Sequence, residues 1–389
     1  MRSATFEAFE GVVTLCLKKE VDFLLVAGDV FDGADRSIRA QIAFAECLKK
    51  LGEAGIKSFV VHGNHDPMGC WSRTLEWPKG VYVFGDTPET VPVERNGALL
   101  AHVQGVSYGR SEERRNLVRL FLKTNAGFHV GLLHANVGAD TGHEPYAPCT
   151  LEDLMRAGMD YWALGHVHSK RLILEENPCA LYPGNTQGRN IREPGERGCY
   201  LVRVKEDHHL EPEFLATDVI RWTLEEVPVD NIEGEQALLR VLEDRCLRIS
   251  EEQSGRSAIA RITLTGHGPL YSFLSDPNTL QELLELVQEK GMSLSPFVWV
   301  EQIRSEVRPE WDKDAWVRQA DFLGELLRCA REIQGDGAFE AFLQEELGPL
   351  VQDPRGRGFV DLPEGAKARS LLMRAEDICV AALQDEDGE

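Results

Sequence analysis

Four short stretches of the chain hold residues that can do chemistry together: "GDVFD" (Gly28 to Asp32), "GNHD" (Gly63 to Asp66), "LLHAN" around His134, and "GHVH" (Gly165 to His168). Each follows an apolar run that reads as a strand, and in α/β sheets ligands bind beyond the carboxyl ends of strands. Asp29 offers two oxygens able to bridge two cations, Asn64 a neutral carbonyl oxygen, and His134, His166 and His168 neutral imidazole nitrogens. Two metal ions about 3.5–4 Å apart, clamping a phosphoryl oxygen, account for that mixture of ligands better than one ion does. His65 sits between Asn64 and Asp66, and a neighbouring carboxylate is well suited to hold an imidazole in one tautomer. His65 and Asp66 are therefore the candidate catalytic pair, with His65 touching the scissile phosphate and protonating or stabilising the leaving oxygen. A lone GD or a lone His after a strand is usually a turn residue, whereas GNHD and GHVH have little structural reason to stand at strand ends. Their joint occurrence in this order is what points to a dinuclear phosphoesterase.

The elements around them must place these side chains on one rim. "VDFLLVAGD" reads as a fully buried strand, "SIRAQIAFAECLKKLGEAG" as an amphipathic helix ending at Gly55, and "IKSFVVHGNHD" as the next strand. Further strand signals follow at "ALLAHVQGVSY", "HVGLLHAN", "DYWALGHVHS", "CALYPGN" and "GCYLVRV", which predicts a mixed sheet with helices outside. The arginines of "GRSEERRNLVR" alternate with glutamates and read as a solvated helix face. Arg189, Arg192 and Arg197 lie in the Gly-rich "YPGNTQGRNIREPGERG", where they either reach a nucleic-acid backbone or simply serve a turn.

With 389 residues the chain suggests two or three domains. The boundaries fall at 1–215 for the domain carrying the motifs, 216–308 for a small α+β unit, and 309–389 for a helical C-terminal region. No apolar run approaches the ~20 residues that span a bilayer, which points to a cytoplasmic protein without membrane partners. The nine cysteines are scattered, with neither zinc-ribbon nor disulfide spacing. The net charge of −22 is uneven: residues 1–205 hold 24 Lys+Arg against 25 Asp+Glu, and residues 206–389 hold 18 against 39. Such an acidic second half repels phosphate backbones, so a nucleic acid would lie against the first half.

GDVFD, GNHD, the isolated His134 and GHVH, in that order, resemble the calcineurin-like metallophosphoesterases. "GDVFDGADRSIRAQ", "YPGNTQGRN" and "ITLTGHGPLY" look like the SbcD/YhaO-type DNA repair nuclease subunits, and the likeness spans residues 1–308. The resemblance implies an α/β fold: a four-layer α/β/β/α core, here N-terminally truncated, with a small α+β capping domain and a helical C-terminal region. It implies Mn2+ as cofactor, with Asp29 bridging two ions, Asn64, His134 and His166 on one, His168 on the other, and His65 acting on the phosphate. It implies DNA as substrate, an SbcC-like coiled-coil ATPase docked by the helical region, and a homodimer.

The family's first strand ends in Asp-x-His, and no Asp-x-His precedes Asp29 here. The acidic residues ahead of it are Glu7, Glu10, Glu20 and Asp22, and the first histidine is His62. "SATFEAFEGVVTLCLKKEVDF" resembles the helix that follows the missing strand, so the expectation is one well-held metal and weakened two-metal catalysis. The readings in play are a Mn-dependent DNA phosphodiesterase subunit, a non-catalytic partner of an SbcC-type ATPase, and a phosphoesterase acting on nucleotides.

Overall fold

The computed structural model describes residues 3–31, 37–71, 76–123, 126–138, 144–311, 313–335, 338–352, 362–363 and 365–386. Asp32, the last residue of GDVFD, lies outside the described residues. The chain forms two compact units, Met1–Leu224 with Ile249–Ile259 and Ser295–Val298, and Glu225–Arg248 with Ala260–Leu294 and Trp299–Glu389.

In the first unit, helix α1 (Ala4–Lys19) leads into strand β1 (Phe23–Ala27), and helix α2 (Ile38–Glu53) into β2 (Lys57–Val61). Strands β3 (Val81–Val83), β4 (Glu89–Arg95), β5 (Ala98–Val106), β6 (His129–His134) and β7 (Tyr161–Gly165) follow, with helix α3 (Leu151–Arg156) before β7. Strands β8 (Arg171–Leu174), β9 (Cys179–Tyr182), β10 (Gly198–Val204) and β11 (Leu210–Ala216) complete it. The crossovers open on polar caps: Ser37 Oγ accepts from Ala40 N ahead of α2, and Thr150 and Asp153 form a capping box ahead of α3.

β1, β2 and β3 make a parallel three-stranded sheet, and a second sheet runs in the order β4-β5-β6-β7-β9-β8. In that second sheet β5, β6, β7 and β9 are parallel, while β4 and β8 flank them antiparallel. Three apolar layers hold the stack together. Val12, Phe44, Leu48, Leu51 and Val60 pack α1 and α2 onto the first sheet. Phe59, Val61, Val103, Val130 and Leu132 fill the space between the two sheets. Val106, Leu133, Leu154, Trp162 and Leu164 cover the far face of the second sheet beneath α3. The result is α/β/β/α layering, and each fully buried large side chain contributes roughly 1.5–3 kcal/mol of burial.

Two local expectations change. The all-apolar β1 is only half-buried throughout, because among the described residues it pairs with β2 alone and stands at a sheet edge. "GRSEERRNLVR" is no helix beyond the 3₁₀ turn Leu117–Leu120, and Glu113 is buried, gripped by the Arg115 guanidinium at 2.6 and 2.9 Å.

β12 (Ile220–Pro228), β13 (Ser257–Thr265) and β14 (Val298–Ser305) form a further sheet, accompanied by α4 (Glu235–Glu252), α5 (Tyr271–Ser275) and α6 (Pro277–Met292). Helices α7 (Lys313–Val317), α8 (Phe322–Gly335), α9 (Ala338–Gln352) and α10 (Gly365–Glu386) make up the C-terminal region. Lys313 ties α7 to α10 through Glu376 at 3.1 Å and Asp377 at 2.6 Å. Among the described residues no helix is long and apolar enough to cross a membrane.

Candidate metal centre

The carboxyl ends of β1, β2, β6 and β7 meet where the two sheets come close together. Asp29 lies two residues past β1, Asn64 to Asp66 follow β2, His134 is the last residue of β6, and His166 follows β7. The approach is so tight that a Cβ on Gly165 would stand 1.8 Å from the Ala27 carbonyl oxygen and 2.8 Å from His134 Nδ1. Gly28 adopts φ +87°, and a Cβ there would meet His134 Nδ1 at 2.7 Å. Only glycine lets these backbones meet around the histidine.

Four of the five expected metal ligands converge. His134 Nε2 is 2.9 Å from Asn64 Oδ1 and 3.3 Å from Asp29 Oδ2, and His166 Nδ1 is 3.2 Å from the same Asn64 oxygen. The other ring nitrogens are taken by main-chain carbonyls, His134 Nδ1 by Ala27 at 2.8 Å and His166 Nε2 by Glu144 at 2.8 Å. A carbonyl can only accept, so those nitrogens carry the protons. In their neutral forms the two rings therefore turn lone pairs toward Asn64 and Asp29, which themselves offer oxygens. Such a convergence of acceptors fits a cation at its centre. Burial works against charge on the fully buried His134, but the Asp29 carboxylate overcomes it and raises its pKa. Burial would likewise raise Asp29, yet His134 and the His65 N–H hold it down at about 2. Among the described residues no three His, Cys, Asp or Glu side chains form a metal-holding group by themselves, and in this cluster Asn64 is the residue that both histidines face.

His168 is the fifth expected ligand, and its environment differs. Its Nδ1 faces Glu193 Oε1 at 2.6 Å, with the imidazole part-exposed.

His65 and Asp66, expected to act together, differ in their surroundings. His65 is exposed on the rim, and its main-chain N–H donates to Asp29 Oδ1 at 2.9 Å. Asp66 is wholly buried, and the expectation that it orients the His65 ring is corrected by its partners. Its Oδ1 accepts from Gly63 N at 2.9 Å and Asp29 N at 3.1 Å. Its Oδ2 accepts from Val30 N at 2.9 Å, Trp71 Nε1 at 3.2 Å and Phe31 N at 3.4 Å. With both oxygens engaged by N–H donors, Asp66 is a clamp joining the loop after β1 to the loop after β2. Burial pushes its carboxyl up to about 6, against the pull of the Gly63 N–H.

Arg197, expected as a possible nucleic-acid contact, is instead buried and donates to the carbonyls of His168 and Pro194 and to Asn185 Oδ1. Arg189 and Arg192 are exposed. Sequence reasoning missed Glu193, whose only signal was an acidic residue in the Gly-rich loop. It missed Trp71, and it missed the carbonyls of Ala27 and Glu144, which carry no side-chain signal at all.

The α/β/β/α layering carries a rim of Asp, Asn and His side chains at the strand ends, the arrangement of a phosphoesterase fold. Residues 2–170 match the calcineurin-like phosphoesterase family, and residues 222–308 match the middle domain of the metallophosphoesterase YhaO. The chain is 35% identical over 312 residues to the uncharacterized metallophosphoesterase YhaO of Bacillus subtilis, covering 80% of this chain and 76% of that protein. It is 31% identical over 216 residues to the DNA double-strand break repair protein Mre11 of Aeropyrum pernix, and 22% over 272 residues to that of Archaeoglobus fulgidus. These two alignments cover 51% and 61% of this chain, and 52% and 59% of the respective Mre11 proteins. The chain belongs to the calcineurin-like metallophosphoesterases, of the YhaO type.

Proposed function

We propose that the chain is a manganese-dependent phosphodiesterase acting on DNA, the nuclease subunit of an SbcCD-like repair complex. The observation that carries this reading is the cluster of Asp29, Asn64, His134 and His166 at the carboxyl ends of strands from two sheets. These four would hold one cation. Asp29 and His168 are the ligands this sequence offers to a second. A bound divalent cation would supply Lewis-acid polarisation of a phosphoryl oxygen and a lowered water pKa.

The chain's own residues do the rest. Asp66 keeps the loops bearing Asp29 and Asn64 in register. His65, exposed beside Asp29, contacts the phosphate and delivers a proton to the leaving ester oxygen. The names of the Mre11 relatives support DNA as substrate, and the near-neutral first 205 residues are the side against which it would lie. The acidic second half, with α7–α10, is the part we assign to docking a coiled-coil ATPase, and the chain is expected to act as a homodimer in the cytoplasm. The second reading is a partner subunit without catalysis that docks the ATPase through the acidic helical region.

The test is a manganese titration on single-stranded and hairpin DNA, comparing the chain with His65→Ala. Loss of general acid catalysis should lower the rate about 10²–10⁴-fold while cation binding persists. Equal cleavage by the two proteins would refute the role of His65, and no cleavage by either would favour the partner reading.

A further inference from the structure

The loop after β9 holds a chain of hydrogen bonds that ends on His168. Arg197, buried, donates from Nη1 to Asn185 Oδ1 at 3.1 Å and also to the His168 carbonyl. With its oxygen so occupied, the Asn185 amide turns its Nδ2 to Glu193 Oε2 at 2.8 Å. The Arg189 main-chain N–H reaches that same oxygen at 2.8 Å. Glu193, 6% exposed, then presents its remaining oxygen to His168 Nδ1 at 2.6 Å. Every donor in the series is fixed: a guanidinium and a main-chain N–H cannot reverse, and the amide is oriented by the guanidinium.

We infer that Glu193 is a positioning residue for His168: it holds the proton on Nδ1 and the ring in place, so that Nε2 carries the lone pair offered to a divalent cation or phosphate ester. The inference rests on the reading of His168 as a ligand. A carboxylate behind a ligating imidazole fixes its tautomer and raises its basicity, and removal of such a partner costs about 10–100-fold in metal affinity. The loop that looked in sequence like a backbone-binding arginine loop is thereby a brace for the last histidine of GHVH.

The arrangement makes a sharp prediction for Glu193→Gln, which keeps the size of the side chain. Asn185 Nδ2 and Arg189 N are both donors, so they capture the new amide's oxygen and turn its NH2 toward His168. His168 Nδ1 must then accept, and its proton moves to Nε2. Long-range 1H–15N correlation on the metal-free, 15N-histidine-labelled full chain reads this directly, with the His168 signal assigned from its loss in His168→Gln. The wild-type chain should show the Nδ1–H form at pH values where the ring is neutral, and Glu193→Gln the Nε2–H form. In parallel, titration with Mn2+ should show weaker binding at His168 by about 10–100-fold in the variant, with the Asp29–His134 cluster unchanged. An Nε2–H ring in the wild type overturns the inference even if the variant fails to fold, and so does a variant that keeps the Nδ1–H form. A tautomer switch with no manganese at His168 in either protein upholds the positioning role and overturns the ligand reading instead.

Discussion

Replacing Asp66 by asparagine separates the clamp role from the catalytic one. The carboxylate receives five N–H donors, two on Oδ1 and three on Oδ2. A carboxamide keeps one oxygen, and its NH2 confronts the donors on the other side. If the oxygen stays with Gly63 and Asp29, then Val30 N and the Trp71 indole lose their acceptor. If it turns the other way, Gly63 N and Asp29 N do. Either way two well-formed bonds are lost in a buried site, and each unmatched buried group costs about 1–3 kcal/mol. Loop relaxation recovers part of this, so a loss of about 3 kcal/mol in the first unit is expected. Urea unfolding followed by tryptophan fluorescence tests it, since Trp71 is itself a partner, and the variant's midpoint should fall in metal-free buffer. Its manganese affinity should fall too, because the loops of Asp29 and Asn64 are no longer tied together. A variant with unchanged midpoint and affinity but reduced turnover would refute the clamp and restore Asp66 to the side of His65.

Three further outcomes follow from particular contacts. Gly165→Ala drives a Cβ into the Ala27 carbonyl and His134, so it should cost about 3 kcal/mol or more and depress cation binding; a variant with wild-type melting and affinity would contradict the close sheet approach. His134→Gln should weaken manganese binding in a calorimetric titration by at least the roughly 10–100-fold that loss of an outer-shell partner costs, and unchanged affinity would remove His134 from the site. His129 is buried, its Nδ1 held by the Gly127 carbonyl and its Nε2 without a hydrogen-bond partner. Burial lowers its pKa, with Lys123 and His102 adding to the fall. The unfolded chain therefore binds this proton more readily: the group's contribution to stability is full above pH 6.5 and is lost as pH falls below it. His129→Gln should flatten the fall in urea midpoint between about pH 7 and pH 5, and an unaltered slope would refute the assignment.

How far the site could be read from residue order depends on what each residue does with its neighbours. Asp29, Asn64, His134 and His166 were legible because each ends or follows a strand, and parallel strands bring their carboxyl ends to one edge. Asp66 was not, since adjacency to His65 does not say which way a carboxylate turns, and five N–H groups turned it inward. Glu193 lies 25 residues from His168, and only the folded loop brings them together. The α/β/β/α layering was accessible through the motifs, whereas the half-exposure of β1 was not, because "FLLVA" is equally apolar at an edge and at a centre. The helix expected in "GRSEERRNLVR" gave way to burial of Glu113, a tertiary pairing that local pattern does not contain.

The account turns on whether Asp29, Asn64, His134 and His166 close around one divalent cation. Anomalous diffraction at the manganese edge from crystals of the chain grown with Mn2+ measures this directly. The account predicts a peak within coordinating distance of those four side chains. A peak elsewhere, with none at these four side chains, would contradict it.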